Sequence, residues 1–131
     1  MSVEEFPVLT PAQIEQTLRA LSRRIGEAQA ENAEIEMSYS KAKAEYEIAM
    51  AKSRLKLANE TNPVNRKNWT VGDREDMALI ENAETYRTLC IEEAKVKASR
   101  GRINQLSTQT DIARSVSTSV RTSMAVETGR G

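Results

Sequence analysis

The chain has 131 residues, 39% of them apolar, 4% aromatic and 29% charged, with a formal net charge of zero. That is one domain's worth of chain, poor in aromatics and suited to long helices held by narrow apolar seams. Zero net charge supplies no global field toward nucleic acid or a basic partner. The absence of histidine removes the commonest general base and metal ligand, and a lone Cys90 excludes an internal disulfide.

Residues 1–10 read as an extended arm, short and acidic, unlike a secretory signal, with Phe6 and Leu9 as its docking candidates. Thr10-Pro11-Ala12-Gln13 then reads as a helix start. Thr10 is a good N-cap, Pro11 suits the first helical position, and Gln13 completes a capping box. The first helix is expected over 11–58, a stretch whose only proline is Pro11. At 1.5 Å per residue it would run about 70 Å. Its apolar residues recur at alternating spacings of four and three: Ile14, Leu18, Leu21, Ile25, Ala28, Asn32, Ile35, Tyr39, Ala42 and Tyr46. This is a heptad seam, in which Asn32 is placed to fix register.

The expected loop, 59–72, is rich in asparagine and holds the only tryptophan, Trp69, which is expected to cover the hairpin tip. Pro63 prevents simple continuation of the first helix. The second helix is expected over 73–126, with Asp73, Glu75 and Asp76 favourable at its N-terminal dipole. Leu89, Val96, Ile103 and Thr110 recur every seven residues, with Leu106, Ala113 and Val120 as a companion row. Met77, Ile80, Ala83 and Tyr86 follow a shifted phase, so a stutter is expected near 86–92. Cys90 is expected as a buried structural thiol, and Gly101 as the mark of a close crossing. The Ser/Thr-rich stretch after Ser107 lowers helix propensity, so fraying is expected beyond about residue 120 and a loose tail over 127–131.

The fold class expected is therefore all-α: a long antiparallel helical hairpin, coiled-coil-like. Its core or oligomer seam consists of Ile14, Leu18, Leu21, Ile25, Ile35, Leu89, Val96, Ile103, Leu106 and Val120. Two helices leave one apolar side open, which favours a homo-oligomer. With the turn near residue 66, Lys95, Lys97, Arg100 and Arg102 fall level with Glu27, Glu31, Glu34 and Glu36. An interhelical salt-bridge network explains that basic cluster better than nucleic-acid binding does. At the open end, Arg19, Arg23, Arg24, Arg114 and Arg121 face few acids and sit among hydroxyls, which makes them candidate nucleic-acid or phosphate contacts.

The sequence contains no phosphate-loop, dinucleotide-binding, CxxC or HExxH motif. Nucleophile pairs with histidine cannot be assembled. No catalytic residue, metal ligand, cofactor or small-molecule substrate is expected. No apolar run approaches the roughly 20 residues of a membrane span.

The run Ala42-Lys43-Ala44-Glu45-Tyr46-Glu47-Ile48-Ala49-Met50-Ala51-Lys52 is followed by a polar linker, then Asp73-Arg74-Glu75. The basic segment Ala94-Lys95-Val96-Lys97-Ala98-Ser99-Arg100-Gly101-Arg102-Ile103-Asn104-Gln105-Leu106 comes after. This stretch resembles the small, mostly uncharacterised two-helix proteins of tailed bacteriophages and prophages, often encoded among replication and recombination genes. The resemblance implies a non-enzymatic accessory to phage DNA replication or recombination in the host cytoplasm. Its partners would be DNA or a phage or host DNA-processing protein. Two alternatives stand beside it: a virion or assembly component, and a helical inhibitor or adaptor of a host enzyme.

Overall fold

The structure, a computed structural model, describes residues 10–128, with side chains through Ala125. The arm expected over 1–10 falls outside this range except for Thr10, as do the last three residues of the expected tail. The described chain is all-helical: α1 spans Pro11–Ala58, α2 Val71–Glu81 and α3 Ala83–Thr128. Two compact units divide it. One joins α1 up to Glu31 with α3 from Arg100 onward; the other contains Asn32–Ser99.

α1 begins with the expected reciprocal cap. The Thr10 N–H donates to Gln13 Oε1 at 2.8 Å, and the Gln13 N–H donates to Thr10 Oγ1 at 3.2 Å. At its other end the last carbonyls are taken by tightened turns: Asn59 N–H to Lys56 O at 3.2 Å and Glu60 N–H to Leu57 O at 3.3 Å. The connecting loop is stitched around buried Asn62. Its N–H donates to Lys67 O and its carbonyl accepts from Arg66 N–H, both at 2.8 Å, while its side chain accepts from Val64 N–H at 2.9 Å. Arg66 turns the tip with φ 56°, a left-handed conformation unfavourable for a residue with a Cβ.

α2 starts at Val71 rather than Asp73, because Thr70 is an N-cap whose hydroxyl accepts from Asp73 N–H at 3.1 Å. Trp69 packs with Tyr46 and Met77 on the buried cluster Met50, Leu57 and Ala78. The expected single helix over 73–126 is broken at Asn82, which caps α2 with φ −109° and ψ 25°. Its side-chain amide donates to Ser53 Oγ and to Ala78 O, each at 2.8 Å. The change of phase expected near 86–92 falls earlier, at this break. Beyond it, Thr85, Leu89, Glu92, Val96 and Ser99 keep the four–three spacing without interruption.

That phase corrects two expectations. Leu89 occupies the seam, so Cys90, one position round the helix, is exposed rather than buried. Gly101 is also exposed, and a Cβ there would meet nothing within 4 Å, so it marks no close crossing. In the C-terminal stretch α3 is helical to Thr128, two residues past the expected end at 126. Its threonines turn back onto their own helix: Thr108, Thr110, Thr118 and Thr122 each donate to the carbonyl four residues earlier at 2.9–3.1 Å.

In the first unit α1 and α3 pack antiparallel. Leu21, Ala28 and Leu106 are buried, with Ile25, Ile103 and Ala113 against them. Ile14 and, in the second unit, Val96 are buried too, while Leu18, Ile35, Leu89 and Val120 are half-buried. The seam residues are thus taken up within one chain. Asn32 lies partly buried in α1, where its amide donates to Glu36 at 3.2 Å and its Oδ1 has no partner.

Candidate functional site

The charges level with one another in sequence do not all meet. Arg102 reaches across to Glu31 at 3.1 Å. Lys95 instead pairs with Glu92 at 3.3 Å and Lys97 with Glu93 at 3.7 Å, both on their own helix. A neighbour one turn away holds a lysine without ordering a second helix, and this local choice replaces the cross-helix pairing expected for Lys95 and Lys97. Glu27 and Glu34 make no ion pair among the described residues, whereas Arg100 and Glu36 are both engaged.

The five arginines of the open end do not converge on one site. Arg19 and Arg23 lie on the side of α1 away from the seam, about 160–200° from Leu21 at 100° per residue. Arg24 lines an apolar groove of about 420 Å³ with Ile14, Leu21, Ile112 and Val116. Arg114 and Arg121 line grooves on the other flank of the seam, Arg114 beside Leu18 and Ile25, Arg121 beside Leu18 and Val120. Two of the five also pair with acids on their own helices, although no internal partner was expected for them. Arg19 pairs with Glu15 at 2.9 Å and Arg114 with Asp111 at 4.0 Å. Arg23, Arg24 and Arg121 make no ion pair among the described residues.

The most elaborate polar cluster surrounds the helix break. Lys56 Nζ lies 3.1 Å from Glu81 Oε1. That ammonium, and then the Ser53 hydroxyl, hold the Glu81 carboxyl below the usual carboxylate range. Glu81 in turn holds the Lys56 ammonium above its ordinary value. Ser53 accepts from Asn82, completing a chain from α1 to α2 and back to Ala78 O. Nearby, Arg54 pairs with Glu75 at 2.8 Å. These groups are bonded to one another, which suits a structural clasp. Among the described residues no group of histidine, cysteine, aspartate or glutamate is arranged to hold a metal ion, and no helix is long and apolar enough to cross a membrane.

One feature escaped the sequence reading. In its C-terminal half α1 carries a second apolar seam: Met37, Ala44, Ile48, Ala51 and Leu55, with Lys41 in the row after Met37 and Ala33 one turn before it. At 100° per residue this row lies about 180° from the one formed by Ala42, Tyr46, Ser53 and Leu57. Ala33 and the apolar residues of this second seam are all exposed, Met37 at 73%, Ile48 at 56% and Leu55 at 68%. The signal was available as a second heptad offset from the first.

No protein-family model, curated protein or solved structure matches this chain.

Proposed function

We propose that the chain is a non-enzymatic association protein, working by helix-to-helix contact with other protein surfaces. The observation that carries this reading is the second seam of α1. A helix covered on one face by its own chain has no internal use for an apolar row, interrupted here by Lys41, on the opposite face, and such rows mark interaction surfaces. The tailed-phage resemblance supplies the setting, and the assembly-component role fits the association reading most closely. A photo-crosslinking residue at position 48, in cells making the protein, is expected to form covalent adducts with protein. Failure to form any adduct there refutes the reading.

A second reading is favoured by the unpaired state of Arg23, Arg24 and Arg121. On it, these arginines contact nucleic-acid phosphates during phage replication or recombination, joined by Arg19 and Arg114 when their local pairs open. Charge reversal at Arg23, Arg24 and Arg121 is expected to weaken DNA binding and to lower its salt slope by about one per lost contact. Undetectable binding of the wild-type chain to single- and double-stranded DNA at low salt excludes it.

A further inference from the structure

We infer that the partner of α1's second face is another copy of this chain, the two α1 helices running antiparallel about a two-fold axis at Ala44. The inference rests on the association reading and names its occupant. It is carried by the charges that flank the seam. They alternate in sign in blocks: Glu34 and Glu36, Lys41 and Lys43, Glu45 and Glu47, Lys52 and Arg54. In an antiparallel pair about residue 44 the same flank of each helix meets its copy, and every charge meets its opposite. On one flank Glu34 comes beside Lys52 and Lys41 beside Glu45; on the other Glu36 comes beside Arg54 and Lys43 beside Glu47.

Register and direction both follow. A slip of one heptad one way sets Lys41 beside Lys52 and Lys43 beside Arg54. The same slip the other way sets Glu34 beside Glu45 and Glu36 beside Glu47. Parallel pairing in register sets each charge level with its own copy. Of these arrangements the antiparallel one about Ala44 alone avoids like against like, which is how charge selects one pairing among apolar alternatives. The apolar row agrees, because Met37 then comes level with Ala51, Leu55 with Ala33, Ile48 with Ser40, and Ala44 with itself. Large residues oppose small ones, so the backbones approach closely.

The state of these charges within one chain points the same way. Glu34, Lys41, Lys43, Glu45, Glu47 and Lys52 make no ion pair among the described residues, although Lys41–Glu45 and Lys43–Glu47 stand one turn apart. Arg54 is held by Glu75, and Glu36 by the Asn32 amide, so these two share their partners.

Sedimentation velocity of the intact chain and its charge variants tests the inference. The wild type is expected to dimerise. Lys41→Glu with Lys43→Glu, and separately Glu45→Lys with Glu47→Lys, are each expected to weaken self-association by about 100-fold, since four contacts per dimer turn repulsive. Mixing the two double variants is expected to restore the dimer, as is the quadruple exchange in one chain. The quadruple variant keeps the wild-type composition, so it carries the test if a double variant loses helicity by circular dichroism. A monomeric wild type, doubles that dimerise as well as the wild type, or a quadruple variant that stays monomeric each overturns the inference. A monomer that nonetheless forms adducts with other proteins at position 48 overturns the self-pairing and leaves the association reading standing.

Discussion

Asn82 is expected to stabilise the junction of α1, α2 and α3 through its side chain, and Asn82→Ala removes that contribution. The amide makes two neutral hydrogen bonds at 2.8 Å, to Ser53 Oγ and Ala78 O. Each is worth about 0.5–1.5 kcal/mol net. Asn82 lies outside both helices, so alanine recovers no helix propensity there, and Ser53, buried, loses a donor. The two bonds together make the loss about 1–3 kcal/mol. A double-mutant cycle with Ser53→Ala, read by urea unfolding at 222 nm, isolates the contact. A coupling of about 1 kcal/mol is expected. If the two substitutions add to within about 0.3 kcal/mol, the Asn82–Ser53 bond contributes nothing and the reasoning about the junction fails.

Further outcomes follow from the same geometry. Gly26→Ala and Gly101→Ala, both inside helices and both facing open space, are each expected to raise stability by about 0.5–1 kcal/mol; a loss at either site shows that its Cβ does meet a neighbour. Leu57→Ala, at a site 2% exposed, is expected to lose about 2–5 kcal/mol. Leu55→Ala, on the second seam, is expected to leave folding of the single chain nearly unchanged while weakening association; equal unfolding losses at both positions contradict the assigned faces. Glu81 is held below its ordinary range in the folded state, so its contribution is present above the unfolded value of about 4.3 and is lost as pH falls through the lower folded value. Glu81→Gln is therefore expected to flatten stability against pH in that acid window, and an unchanged acid limb counts against the Lys56–Glu81–Ser53 clasp.

The parts of the fold legible in sequence were those set by short-range chemistry. Thr10 and Gln13 announced their capping box, and Ile14, Leu21, Val96 and Leu106 announced a seam by spacing alone. The break at Asn82 was not legible as a break. An asparagine within a helical pattern is tolerated until its amide finds a tertiary acceptor, here Ser53, 29 residues away. Cys90 was misplaced although Leu89 was read in the seam: the next residue is turned by 100° and lies off it. The facing of Lys95 and Lys97 with α1 glutamates failed for a different reason: level charges need not pair when an acid on the same helix is nearer. The second seam was present in the letters, but with α1's apolar pattern followed along the first row alone, Met37, Ile48 and Leu55 had no place in it.

Sedimentation velocity of the wild-type chain over a range of concentrations tests the association face most directly. The account predicts a concentration-dependent rise from the 14.6 kDa chain to twice that mass, abolished by replacing Met37, Ile48 and Leu55 with glutamine. A species that stays at the mass of one chain throughout contradicts the proposed self-pairing.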